Sequence, residues 1–129
     1  MKKRIVVAAA VLMAFGIVGC GNKAEVSYTQ IGMDEAVSMM EEEKDYIILD
    51  VRTPKEFAEK HIPGAINIPN ETIGNDEIEE LPEKEQLILV YCRSGNRSKQ
   101  ASVKLAALGY TNIYEFGGIN EWTGETVSE

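Results

Sequence analysis

Two uninterrupted apolar runs constrain this chain most. "YIILDV" covers residues 46–51 and "QLILVY" covers residues 86–91. A strand with one wet face alternates apolar and polar residues, whereas a strand covered on both faces does not. Both runs therefore predict strands of a sheet with helices on its two sides. The stretches around them fit. "SYTQI", "AINIP" and "NIYEF" read as shorter strands. "MDEAVSMMEEE" carries Ala36, Val37 and Met40 at helical spacing, and "RSKQASVKLAALGY" carries Ala101, Leu105 and Leu108 on one stripe, with Gly109 placed to stop it. Thr53-Pro54-Lys55-Glu56 predicts a sharp helix start, with a capping box and proline in the first turn. "NDEIEELP" predicts a weak helical turn ended by Pro82, and "GGINEW" a last turn. Strand–helix alternation of this kind implies an α/β fold with a mainly parallel sheet.

The first residues stand apart. "MKKR" precedes an apolar run of fourteen residues, shorter than the roughly 20 that span a bilayer. It reads as a secretory signal over residues 1–19. It closes on Ile17-Val18-Gly19-Cys20, which resembles a bacterial lipobox. That resemblance implies cleavage before Cys20 and a lipid anchor on its sulfur, with residues 20–27 as lipidated N-terminus and tether. The expected location is extracytoplasmic, at the bacterial cell membrane. Loss of Lys2, Lys3 and Arg4 takes the net charge from −8 to −11. Lipid rather than protein charge would then hold the chain to a membrane. The acidic balance offers no basic stripe for nucleic acid. With Cys20 lipidated, Cys92 has no partner for a disulfide.

Cys92 opens "CRSGNRS", directly after "QLILVY" and directly before a predicted helix. Ligands of open α/β sheets gather at the carboxyl ends of strands. A helix N-terminus and nearby cations, here Arg93 and Arg97, lower a thiol's pKa from about 8.5 towards about 3.5–7.5. Gly95 lets the backbone curl so that successive N–H groups form an anion nest, and Asn96 tolerates unusual angles. Ser94 and Ser98 add donors. The loop suits a cysteine nucleophile that attacks a small oxyanion. Two chemistries fit. In phosphoryl transfer the leaving alkoxide needs a general acid. In sulfur transfer the thiolate takes the outer sulfur of a donor such as thiosulfate, sulfite leaves unaided, and a second nucleophile removes the persulfide sulfur.

"LDVRTPKEFAEKHIPGAINIP" (49–69), "YCRSGNRS" (91–98) and "GGINEW" (117–122) together resemble the rhodanese domain, over residues 28–124. The resemblance implies a five-stranded parallel sheet flanked by helices. It implies Cys92 as the catalytic cysteine and Arg93, Ser94, Gly95, Asn96, Arg97 and Ser98 as the substrate-binding loop. Residues 125–129 fall outside it as a C-terminal tail. Four residues separate Cys92 from Arg97. The rhodanese loop has this Cys-x4-Arg length, whereas related dual-specificity phosphatases have one residue more, so sulfur transfer to a thiol or cyanide acceptor is expected. A Cys-dependent phosphatase or arsenate reductase, and a non-catalytic persulfide carrier, are the alternatives. The second loop residue, lysine in some rhodanese-like enzymes, is Ser94.

Asp50 and Arg52 end a strand and are candidate rim residues. An ion pair of Arg52 with Glu56 is expected there, and Asp50 would be the general acid of a phosphatase. His61, the only histidine, is assigned to structure, because ionisation by helix and arginines needs no base. Phe116, Trp122, Met39 and Met40 are assigned to packing. One histidine and one free cysteine fall short of a tetrahedral metal set, and neither metal nor cofactor is expected.

Overall fold

The computed structural model describes residues 27–129. The signal, lipobox and Cys20 expectations lie outside the described residues. Five strands form one parallel sheet: β1 (Thr29–Gln30), β2 (Tyr46–Asp50), β3 (Ile66–Asn67), β4 (Leu87–Cys92) and β5 (Ile113–Gly118). Their order is β1-β5-β4-β2-β3, which puts β4 in the centre. Among the described residues three α-helices accompany them: α1 (Met33–Glu42), α2 (Pro54–Glu59) and α3 (Asn96–Ala107). The expected α/β architecture is the one observed.

The unbroken apolar run of β4 is explained by what covers it. Ile88, Val90 and Cys92 face the layer that holds Ala101 and Leu105 of α3, with Tyr110 and Ile113. Leu87, Leu89 and Tyr91 face the opposite layer, with Ala36 of α1, Phe57 of α2 and Phe116. All six residues of β4 are buried. Successive side chains of a strand point to opposite faces, so two apolar layers require an unbroken apolar sequence.

The helix boundaries follow local chemistry. Thr53 Oγ1 accepts from Glu56 N at 3.2 Å, and Glu56 Oε1 accepts from Thr53 N at 3.1 Å, which completes the capping box at α2. Gly109, at φ 104°, ends the turn after α3, where Tyr110 N donates to the Leu105 carbonyl. One expectation fails. "NDEIEELP" forms bends and turns, with Leu81 N bonded to the Ile78 carbonyl. Asp76, Glu77, Glu79 and Glu80 crowd like charge at helical spacing, while Ile78 and Leu81 turn inwards against the core. The short helical turn of this connection lies earlier, at Asn70–Thr72.

The last residues are tied to the body. Val127 and His61 exchange backbone hydrogen bonds of 2.8 and 2.9 Å, and Glu129 N donates to the Ala58 carbonyl at 2.9 Å. Among the described residues no helix is long and apolar enough to cross a membrane.

Candidate active site

Central strand β4 ends on Cys92, and α3 begins four residues later. Between them Gly95 sits at φ 115°, in the left-handed region, and leads into the first turn of α3. That conformation strains any residue with a Cβ. It turns the Gly95 N–H back onto the sulfur, where Cys92 Sγ accepts it at 3.0 Å. Sγ lies 3.4 Å from Ser98 Oγ.

Cys92 is buried. Burial is the largest single influence on its thiol and pushes the pKa up. The Ser98 hydroxyl and the backbone N–H groups of Ser98, Gly95 and Ser94 oppose it and together hold the thiol below its ordinary value. The N-terminus of the 12-residue α3 acts in the same sense. The loop therefore stabilises an anion on or just above the sulfur.

The pair Gly117-Gly118 of β5 permits this curl. A Cβ on Gly118 would lie 2.0 Å from the Arg93 carbonyl oxygen and 2.6 Å from Ser94 N, so the loop backbone rests on a bare glycine. Gly118 is in register with Cys92, and Asn120 N donates to the Arg93 carbonyl at 3.2 Å.

The predicted site residues divide into two groups. Arg93, Ser94 and Asn96 are exposed on the loop. Arg93 also lines an open pocket of about 300 Å³ beside it, with Lys60, Glu59 and Asn120. Arg97 is half-buried and paired. Its guanidinium binds Glu56 through contacts of 2.7 and 3.1 Å and so clamps α2 to α3. Arg97 first, and Thr53 after it, pull the Glu56 carboxyl down from an ordinary 4.5 to about 2, against a smaller opposing effect of burial. Ser98 is wholly buried, and its hydroxyl faces Sγ, the Gly95 carbonyl and Glu115. It holds the sulfur from within the core.

The rim pair needs correction. Asp50 and Arg52 bind each other, through contacts of 2.6 to 3.1 Å, and are 0% and 4% exposed. Arg52 also donates to the Lys60 carbonyl. The expected Arg52–Glu56 pair does not form, because Asp50 takes Arg52 and Arg97 takes Glu56. Both Asp50 oxygens are thus taken by Arg52 inside the protein, and neither stands at the rim. His61 stacks on Phe57 with ring centroids 3.7 Å apart, and its Nδ1 lies 2.8 Å from the Phe57 carbonyl, as a packing role requires. Phe116 is buried and Trp122 half-buried against the same layer. Among the described residues no cluster of His, Cys, Asp and Glu could hold a metal.

Glu115 was not found from sequence. It sits in the middle of β5, wholly buried, with Oε2 2.5 Å from Ser98 Oγ and 2.9 Å from Gly117 N. The available signal was an acid at the same strand parity as the apolar Ile113.

The rhodanese-like domain profile matches residues 33–125, and so takes in β2 to β5, the loop and the glycine pair. The chain belongs to the rhodanese-like domain family. Thiosulfate sulfurtransferase PspE of Escherichia coli is 36% identical over 73 residues, which cover 57% of this chain and 70% of that protein. A sulfurtransferase of Allochromatium vinosum is 34% identical over 94 residues, 72% of this chain and 86% of that one. The chain spans only about a quarter of the fungal UBA4 proteins, named adenylyltransferase and sulfurtransferase, that it also matches. A rhodanese-like domain protein of Staphylococcus aureus superposes with a TM-score of 0.68 at 30% identity, covering 79% of this rhodanese domain chain and 99% of the other.

Proposed function

We propose that this rhodanese domain is a sulfurtransferase that moves sulfane sulfur through a persulfide on Cys92. The observation that carries the reading is one buried sulfur at a helix N-terminus that accepts the Gly95 N–H at 3.0 Å and has the Ser98 hydroxyl 3.4 Å away, with the backbone N–H groups of Ser94 and Ser98 favouring its anion. A thiolate so held attacks the outer sulfur of a donor such as thiosulfate. The donor's S–S bond breaks and sulfite leaves with its electron pair, needing no proton. The persulfide anion left on Cys92 meets the same donors. A thiol or cyanide acceptor then attacks the outer sulfur and restores the thiolate, in a two-step exchange. Arg93, Ser94 and Asn96, exposed on the loop, face the donor's oxygens in this reading. Relatives named as thiosulfate sulfurtransferases support the choice of donor.

The phosphatase alternative is weakened at two points. The loop has four residues between Cys92 and Arg97, and Asp50 is tied to Arg52 inside the protein. Incubation with thiosulfate should add the mass of one sulfur atom to the Cys92 peptide and release one sulfite, with both lost in Cys92→Ser. Absence of adduct and sulfite, or hydrolysis of an aryl phosphate that Cys92→Ser abolishes, overturns the reading. Sulfur loading with no transfer to any thiol or cyanide identifies a carrier rather than an enzyme.

The anchoring of the chain belongs to the same proposal. The basic start, short apolar run and Ile17-Val18-Gly19-Cys20 support an extracytoplasmic lipoprotein held by lipid at Cys20. Mass spectrometry of the membrane fraction should find an acylated Cys20 as first residue. An unmodified Cys20 joined to Cys92 would refute it.

A further inference from the structure

The layer between α3 and β5 holds a carboxyl group that sulfur exchange leaves without a task. Glu115 is 0% exposed. Its Oε2 meets Ser98 Oγ and the Gly117 N–H, and its Oε1 has no hydrogen-bond partner. From β4 it is approached by Cys92 through Ser98, and from α3 by Ser98 itself. One turn further along α3, Ser102 is also wholly buried with an unpartnered Oγ. On the β1 side Gln30 is its register neighbour, and its own carbonyl accepts from Ile31 N. Lys99 lies nearby, beside Gly95, but is exposed. Among the described residues no cation pairs with Glu115.

The Ser98 hydroxyl has one proton and lies between two acidic groups, 2.5 Å from Glu115 Oε2 and 3.4 Å from Cys92 Sγ, with the Gly95 and Gly117 carbonyls as further acceptors at 2.9 and 3.3 Å. Two arrangements link the two acidic ends through it. A thiol donates to Ser98, which donates to a carboxylate. Or a carboxylic acid donates to Ser98, which donates to a thiolate. Charge at both ends at once is opposed by repulsion and by burial. The two ends are unequal hosts. The sulfur receives N–H groups of Ser94, Gly95 and Ser98 and the positive end of α3. Apart from Ser98, the carboxyl receives one N–H, and one of its oxygens receives nothing.

We propose that Cys92 and Glu115 share a single proton through the Ser98 hydroxyl, and that the proton rests on Glu115 while Cys92 works as a thiolate. The proposal rests on Cys92 being the nucleophile. On ionisation the S–H bond breaks, Ser98 takes that proton and passes its own to Glu115, and nothing is oxidised or reduced. The proton then stays on Glu115 through both sulfur transfers, since each begins and ends with anionic sulfur. Glu115 acts through Ser98, and is a positioning residue.

The test is the pH dependence of Cys92 alkylation by iodoacetamide in the full chain, read on the Cys92 peptide by mass spectrometry. With the proton left on Glu115, Cys92 should become reactive in one step, and the second step of the coupled pair belongs to the carboxyl. That carboxyl is followed by difference infrared spectroscopy over the same pH range. A protonated-carboxyl band should persist above the midpoint of Cys92 alkylation and shift or vanish when Cys92 is alkylated, and Glu115→Gln should lack it. Absence of the band at neutral pH, its loss below the alkylation midpoint, or its indifference to Cys92 alkylation overturns the proposal. The wild-type spectra decide even where the variant does not fold. Sulfur loading from thiosulfate is measured alongside. A band that persists and responds to alkylation without loading would remove the sulfurtransferase reading and leave the shared proton standing.

Discussion

Cys92 owes its predicted reactivity to a contest between burial and donors. An apolar, enclosed thiol resists ionisation, and most buried cysteines are inert for that reason. Here four N–H and O–H groups reverse the outcome. The reversal depends on a residue that never touches sulfur. Gly118 has no side chain because the Arg93–Ser94 peptide occupies that space. Gly118→Ala should displace the loop, raise the pH midpoint of Cys92 alkylation and cut sulfur loading by at least tenfold, about 1.4 kcal/mol. An alkylation profile like that of the wild type would show that the loop does not depend on this contact. Asp50 and Arg52 exemplify a different residue-scale effect. Arg52→Ala leaves the Asp50 carboxylate buried and unpaired, and should lower unfolding free energy by about 3–5 kcal/mol in urea titrations.

The clamp between α2 and α3 is the element-scale counterpart. Glu56 caps α2 through Thr53 and binds Arg97 at the start of α3, so one carboxylate joins the loop helix to the neighbouring helix. Its folded pKa lies below its ordinary value. The sign follows: the stabilisation is fully present above about pH 4.5 and is lost as pH falls towards about 2. Glu56 is partly exposed, so the ion-pair share is under about 1 kcal/mol after solvent screening. Urea unfolding of wild type and Glu56→Gln should show a constant gap above pH 5 that narrows between pH 4.5 and 2. A gap that ignores pH would contradict it. Thr53→Ala should cost about 1 kcal/mol through the cap, without changing sulfur loading.

In the whole molecule the functional loop stands at the end of the central strand, between two apolar layers. The C-terminal residues close one side of this body by pairing with Ala58 in α2 and with His61 just beyond it. Removal of residues 125–129 discards the backbone bonds that hold this edge. It should lower stability by about 1–3 kcal/mol, while the Cys92 persulfide still forms, because the deleted segment makes no hydrogen bond to the loop. Thermal unfolding and sulfur loading of the truncated chain, measured together, check both halves of that expectation.

The amino-acid sequence alone determined the parallel sheet, the capping box, the stop at Gly109 and the position of Cys92. Each is encoded within a few neighbouring residues, by the pleat, by a side chain reaching its own backbone, or by a strand giving way to a helix. It did not determine which charges pair. Asp50, Arg52, Glu56 and Arg97 admit several pairings along the chain, and only the pairing of β2 with β4, which brings the first turns of α2 and α3 together beyond the strand ends, decided that Arg97 takes Glu56 and leaves Arg52 to Asp50. Nor did it bring Glu115 to Ser98, 17 residues away, since that contact exists only when α3 lies across β5. Local preferences set the elements, whereas a carboxyl group's partner depends on what the fold places within about 3 Å of it.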